Sequence, residues 1–512
     1  MTSKLITAAA ALAGALFVPV LAAAQTTPLV APAIPGVAAA PGPPAAAAKP
    51  AANIGLLTTK PDIGISGTKF TLSGSGLPAG KDVSITWSTA NVTWIVDPRP
   101  DTVDYLGRQT TKFPVVLAHA TTDATGAFSV ELAAPKDWGG IHDIYAVVDG
   151  VQYAKGGFLV ARSASISPKR GPIGTPIAIT YSGLGSSLYE GGAALLYDSK
   201  FVGAMTANWT RGTAVAHIRA SGPVGRHVIT LRNAVNFGYL NVPQSPLPWT
   251  TEFNLAFTVT KDAGRPKASL DWPVNVAATL DAKTTLQLTG VASDATATLA
   301  SSAGSVNTKV DLSASGLTPN APVELAWSTV IGNRVNCSGT CWSFVSVPLG
   351  NTTAGADGSL KTSITVPDGL GGWHVVQVLQ NGKMMAQAPY YVKRSLFNVP
   401  KLVVKQGQTF QVHLKGLGWT QLDNTIAIDY DNSYVGYGCG FNSNGDVLLN
   451  LVATGGPGTH LIDGYPLLYT QQPSYANTPY GMVPFLSYAQ DEPGLALGYQ
   501  LPAFRLAITV VT

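Results

Sequence analysis

Four histidines follow a glycine by two positions at matched places in the chain: Gly140-Ile141-His142, Gly225-Arg226-His227, Gly372-Trp373-His374 and Gly458-Thr459-His460. Imidazole is the side chain whose charge changes near neutral pH, so a recurring histidine is the first place to look for proton transfer or metal ligation. Ligands must converge on one point, however, and these four fall one to each repeat unit. The spacing therefore assigns them a structural role: satisfying a turn carbonyl, or packing beside the start of a strand. His119, His217 and His413 have no acidic or cysteine neighbours at ligand spacing. Cys337 and Cys341 bracket Ser-Gly-Thr and are the disulfide candidates, although Cys337 with Cys439 remains open because sequence cannot settle connectivity. Their C-x-x-x-C spacing is neither the redox C-x-x-C nor a zinc pattern, so no metal site is expected.

Carboxylates give no sharper signal. Asp97, Asp101 and Asp104 share one stretch, and Asp429 and Asp431 share another with Asn432. Neither has the calcium-loop register, and only Asp431 repeats, as Asp198, so solvated loops are the expectation. There is no G-x-S-x-G, H-E-x-x-H or Walker loop. With 28 acidic residues in the whole chain, a hidden carboxylate pair has little room, and the chain is expected to be no enzyme and to need no cofactor.

Composition narrows the partners. Only 12% of the 512 residues are charged and the net charge is +4, without the Lys/Arg clusters that neutralising phosphates requires, so nucleic acid is excluded as a partner. Lys4, the apolar run Leu5 to Leu21 and Ala22-Ala23-Ala24 read as a signal peptide over 1–24, giving an exported protein of the periplasm, cell surface or exterior. No later stretch is long and apolar enough to span a membrane as a helix. Residues 25–54, mostly Ala and Pro, read as an extended tether.

The elements that carry these residues are strands, and they are written twice. Leu72-Ser-Gly-Ser-Gly-Leu77 returns as Leu312-Ser-Ala-Ser-Gly-Leu317, Thr86-Trp-Ser-Thr89 as Ala326-Trp-Ser-Thr329, and Tyr197-Asp-Ser-Lys-Phe-Val-Gly203 as Tyr430-Asp-Asn-Ser-Tyr-Val-Gly436. The repeat is too long for a solenoid unit and implies a duplicated pair of domains. Runs such as Lys69–Ser73, Val83–Trp87, Phe128–Leu132 and Ile144–Val148 alternate apolar and polar residues between Gly, Pro, Asn and Asp turns. No long helical stripe follows the signal. The fold class is therefore all-β, as tandem immunoglobulin-like β-sandwiches over 55–162, 163–262, 296–394 and 395–512, with 263–295 a linker that adds at most an edge strand. Trp87 and Trp327 fall on matched inner strands and are expected in the cores.

Gly76-Leu-Pro-Ala-Gly80, Val83 to Trp87, Thr121 to Phe128, Ala134-Pro135 and Gly140 to Val148 together resemble the bacterial extracellular immunoglobulin-like repeats of the Big and IPT/TIG kind. The third unit resembles them less closely, with Thr318-Pro319-Asn320 at the turn. This resemblance implies fold and a cell-surface setting, and no reaction.

Between the copies, three stretches share nothing: 90–118, with Trp94 and Tyr105; 330–350, with Trp342 and Phe344; and 470–503, with Tyr475, Tyr480 and Tyr488. Loops on a rigid scaffold carry binding residues, and exposed aromatics give contact area at little entropic cost. The expected function is a structural or adhesive interaction protein meeting an unidentified protein or glycan at the cell surface. The alternative is a carbohydrate-binding accessory module of a polymer-degrading system.

Overall fold

The computed structural model describes residues 39–99, 102–187, 190–207, 210–233, 240, 244, 252–271, 291, 293–332, 342–397, 402–419, 424–467, 483–487 and 503–512. The expected signal peptide, Cys337, Cys341, Tyr475, Tyr480 and Tyr488 lie outside them. Every regular element among the described residues is a strand or an isolated bridge, apart from a lone 3₁₀ residue.

In the first sandwich, Thr58–Lys60, Lys69–Gly74 and Phe128–Ala133 form a three-stranded sheet. The facing sheet runs Lys49–Leu56, Val151–Val160, Gly140–Val148, Asp82–Arg99, Thr102–Thr121, with Ile63–Gly64 added in parallel on Val151–Val160. Lys69–Gly74 shows why these are strands: Phe70 and Leu72 are buried while Lys69 and Thr71 between them face water. Asp149 and Gly150, with φ of 49° and 76°, make the tight turn into Val151–Val160, a conformation that suits hairpin twist and favours Gly. The same strand order recurs in three further sandwiches, each a three-stranded sheet facing a five-stranded or six-stranded one. This is the immunoglobulin-like arrangement, written as a duplicated pair.

Three segments differ from the sequence reading. The tether assigned to 25–54 does not stay free to its end: Lys49–Leu56 pairs in parallel with Val151–Val160, and Pro44 bridges Val115. Proline is compatible with such an edge because one side of an edge strand needs no donor. The 263–295 linker, by contrast, adds the edge strand expected of it: Ser269–Asp271 pairs antiparallel with Ala503–Val511 of the fourth sandwich. Finally, the described parts of 90–118 and 330–350 are hairpin strands. Asp82–Arg99 pairs with Thr102–Thr121 along its length, and Pro322–Gly332 with Trp342–Thr353. Runs such as Val92-Thr93-Trp94-Ile95-Val96 are rich in residues that fit a pleated surface, which favours strand over loop.

Each sandwich has its own apolar centre, around Trp87 in the first and Trp327 in the third. The second is different. Its core continues into Leu461, Tyr465, Leu486 and Ala507 of the fourth, so these two sandwiches share one apolar cluster.

Candidate functional site

The four repeated histidines are of two kinds. His142 stacks on Trp87 (centroids 4.3 Å, 16° between planes), with Nδ1 2.7 Å from the Ser88 carbonyl oxygen and Nε2 2.8 Å from that of Trp138. His374 stacks on Trp327 at 4.8 Å, with Nδ1 3.2 Å from the Ser328 carbonyl and Nε2 2.9 Å from that of Leu370. His227 and His460 instead lie beside Tyr197 and Tyr430 and meet carboxylates. Nδ1 of each is 2.5 Å from Asp198 or Asp431, and Nε2 is 2.7–2.8 Å from the Pro223 or Gly456 carbonyl. The second oxygen of each Asp accepts the next strand's amide, Val228 or Leu461, at 2.9 Å. Asp198 and Asp431 sit at φ of 49° and 48° in tight turns, so each carboxylate ties a hairpin to its neighbouring strand. Those oxygens are committed within the fold, and among the described residues no group of His, Cys, Asp or Glu could hold a metal ion.

Opposite surroundings give opposite titrations. Burial holds the His374 imidazole down to about 4, against carbonyl contacts from Leu370, Ser328 and Gly371 that favour its proton. Burial also works against charge at His460, but the Asp431 hydrogen bond and charge outweigh it and raise His460 above its ordinary value. For His374, with a folded value below the unfolded 6.5, stability is full above pH 6.5 and declines as pH falls towards about 4. The total loss is about 3 kcal/mol. For His460, stability is full below its unfolded value and is lost as pH rises through the folded one. Acidification from pH 7 to 4.5 is therefore expected to lower hydrogen-exchange protection, normalised for intrinsic rates, in Gly372–Gln380 and not in Gly458–Pro466. Equal changes in both strands would contradict this.

The repeated motifs also meet one another. Gly139, in Gly139-Gly-Ile-His142, lies against the Gly183-Leu184 turn of the next sandwich, its amide donating to the Leu184 carbonyl at 2.8 Å. In the second copy the Gly371 amide donates to the Leu417 carbonyl at the same 2.8 Å. A Cβ on either glycine would lie 1.7 Å from the carbonyl oxygen of Gly183 or Gly416, so only glycine fits both joints. The long hairpin of the first sandwich braces its joint. Arg211 Nη1 donates to the Ala90 carbonyl at 2.7 Å and Nη2 to Asn91 Oδ1 at 2.6 Å, while Trp138 packs on Ala90 and Val92. In the second copy, half-buried Phe344 meets buried Trp419 edge-on at 5.5 Å, and the Lys415 ammonium pairs with Asp368.

Between the second and fourth sandwiches lies a buried ionic cluster. The Asp463 carboxylate is gripped by Arg219 from one side and by Arg505 at 3.1 Å from the other. Arg219 Nη2 also donates to the Leu506 carbonyl at 2.7 Å, and Arg505 Nη2 to that of His217 at 2.9 Å. Asn432 Nδ2 donates to the Arg219 carbonyl at 2.7 Å. Across the strand pair from Asp463 sits Asp429, whose two oxygens have no hydrogen-bond partner. Burial first, then the Asp463 charge, raise its carboxyl well above the usual carboxylate range against a lowering by Arg505.

Of the binding-loop aromatics, Phe344 is thus drawn into a joint. Trp94, Tyr105 and Trp342 stand on hairpin strands, their side chains outside the description. Trp87 and Trp327 are core residues, 0% and 3% exposed. Cys439 is free and exposed at the end of strand Ser433–Cys439. From the 470–503 stretch, Val483, Phe485 and Leu486 are buried, and Leu486 joins the core of the second sandwich. Sequence reading missed Asp137, Asp463, Arg219 and Arg505. Asp198 and Asp431 carried a usable signal, since each recurs at a fixed distance from a recurring histidine.

Strand order and joints define the class as a tandem immunoglobulin-like β-sandwich protein. No family model matches the chain, and no curated protein does. Among solved structures it is similar to invasin, a bacterial integrin-binding protein, at 12% identity over 80% of this chain and 76% of that one, with a TM-score of 0.18. The adhesin InvE of Yersinia pseudotuberculosis is 13% identical over 46% of this chain and 60% of its own, with a TM-score of 0.15. E. coli alpha-2-macroglobulin is 8% identical over 91% of this chain, with a TM-score of 0.17, and the match spans 32% of its length.

Proposed function

We propose that the chain is a non-catalytic structural and adhesive interaction protein of a bacterial envelope or exterior, whose linked sandwiches present the outer ends of two long hairpins to a protein or glycan. The observation that carries this reading is the repeated joint. Gly139 on Gly183 and Gly371 on Gly416 fix one sandwich against the next by backbone contact, a device suited to spacing and without use in catalysis. Both hairpins are braced at these joints, through Ala90 and Asn91 in the first copy and Phe344 in the second. The copies diverge beyond the braced positions, where a partner would be chosen.

Deleting 470–503 would be a poor test, because it removes the buried 483–487. The better variant shortens both hairpins, joining Val92 to Thr110 and Gly332 to Trp342 through two-residue turns. Labelled full-length chain is expected to bind whole bacterial cells or a glycan array saturably, and the shortened chain about tenfold more weakly or less, with far-UV circular dichroism showing intact sheets. Undiminished binding by the shortened chain, or no saturable binding by the full chain, would refute the proposal. Binding confined to the glycan array would identify the partner as sugar.

A further inference from the structure

The outer face of the large sheet in the first sandwich carries aliphatic side chains in rows that cross its strands. Ile63, Leu159 and Ile141 are register partners on three adjacent strands, with Ile63 50% and Ile141 66% exposed and Leu159 half-buried. Leu56, Lys155 and Tyr145 form a second such row, with Leu56 80% exposed. Between the rows Asp143 stands opposite Gly157, which leaves a shallow trough on its strand. The charges here cancel. Lys155 Nζ lies 3.1 Å from the Asp143 carboxylate and 5.5 Å from the centre of the Tyr145 ring, and the Tyr145 hydroxyl donates to Asp143 at 3.4 Å. Covering this face would therefore strand no unpaired charge. Val151–Val160 and Gly140–Val148 are interior strands of the sheet, so the face offers side chains and no backbone edge.

The corresponding face has a different fate in each of the other sandwiches. In the third, Trp373 and Val375 of Gly372–Gln380 are buried, and Trp373 accepts a hydrogen bond from Trp419 of the fourth. In the fourth, Leu461, Tyr465 and Ala507 join the core of the second sandwich, and Asp463 pairs there with Arg505. In the second, Arg226, Thr230 and Arg232 of Gly225–Asn233 make the face polar. The first sandwich keeps it apolar and leaves it in water. An apolar patch on a sheet face marks an interaction site, and elsewhere this chain covers such a face with another of its own sandwiches.

We propose that this face is a self-association site that joins the first sandwiches of two copies of the chain. The two rows select that partner. A two-fold axis lying in the contact, along the Asp143–Gly157 row, turns each outer row onto the other one. Ile141 of one copy then meets the Tyr145 ring of the second, and Ile63 meets Leu56. Leu159 covers the apolar stem of Lys155, whose ammonium stays on its own Asp143. The contact is isologous, as in most closed dimers, and it packs two sheets with their strands aligned. It is separate from the hairpin ends and does not depend on them.

The test follows the full chain by sedimentation equilibrium across the micromolar range. A reversible monomer–dimer equilibrium is expected. Ile141→Lys and Tyr145→Glu should each weaken it about tenfold or more. The double variant should recover most of that loss, because each new lysine faces a new glutamate across the axis. Both side chains lie on the sheet surface, and far-UV circular dichroism checks that the sheets persist. Val435→Lys, at an exposed aliphatic of the fourth sandwich, should leave dimerisation unchanged. A chain that stays monomeric would overturn the proposal. So would a dimer indifferent to Ile141→Lys, or a double variant no better than either single one. Flotation with phosphatidylcholine vesicles, abolished by Ile141→Lys, would assign the face to a lipid surface and equally overturn it.

Discussion

Trp87→Ala is expected to destabilise the first sandwich more than Trp327→Ala destabilises the third, although the two residues occupy matched strands. Both rings are buried and both carry a stacked histidine, so each truncation leaves a cavity worth about 3–5 kcal/mol. Only Trp87 also serves a buried carboxylate. Its Nε1 donates to Asp137 Oδ2 at 2.9 Å, while Thr89 donates to Oδ1 at 2.9 Å, and Asp137 is 2% exposed. The matched position in the second copy is Gly369, so Trp327 leaves no such orphan. Losing the indole donor leaves Asp137 Oδ2 only the longer contact to His142 Nδ1 at 3.7 Å, an added cost of about 1–3 kcal/mol. Hydrogen exchange in Gly140–Val148 and Gly372–Gln380 reads each sandwich separately. Trp87→Phe, which keeps a ring and lacks the donor, should recover most of the cavity term and none of the Asp137 term. Equal losses from the two alanine variants would mean that Asp137 is held by something other than Trp87.

The architecture was legible because two-residue alternation and turn residues are local, and because the chain states its pattern twice. Lys69–Ser73 and Phe128–Leu132 read directly as half-buried strands. What the sequence left hidden depends on residues distant along the chain. Gly139 and Gly183 stand 44 positions apart and look like two unrelated repeat glycines until the backbone brings them into contact. The histidines looked uniform because Gly-x-His is uniform, whereas their chemistry is decided by a distant partner: a hairpin-turn Asp 29 residues earlier in two cases, and a strand carbonyl 54 or 46 residues earlier in the others. The stretch 90–118 resembled a loop because its sequence is unique to one copy. Divergence between copies reports relaxed identity, and it does not report relaxed backbone geometry. Likewise the aromatic-rich 470–503 suggested one exposed loop, yet Val483, Phe485 and Leu486 within it are buried, and Leu486 enters a neighbouring core.

Asp463→Asn is expected to cost about 3–5 kcal/mol at the contact between the second and fourth sandwiches, because it leaves two buried guanidinium groups facing no charge. Asp429→Asn, one strand away and equally buried, should be close to neutral. The difference lies in partners. Asp463 pairs with both Arg219 and Arg505, whereas burial and the Asp463 charge push the Asp429 carboxyl towards its neutral form, which an amide imitates. The pH dependence follows in sign. A group whose folded value is raised contributes stability in full below its unfolded value and loses it as pH rises through the folded one, so alkaline conditions should loosen this contact in the native chain and not in Asp429→Asn. Exchange in Thr213–Arg219 and Gly458–Pro466, from the two sides of the contact, supplies the readout. Arg219→Met added to Asp463→Asn should restore part of the loss, since it removes one stranded charge and keeps an apolar stem in its place. No recovery would mean that Arg219 acts through its bond to the Leu506 carbonyl rather than through its charge, and the contact would then be held by backbone pairing and apolar packing.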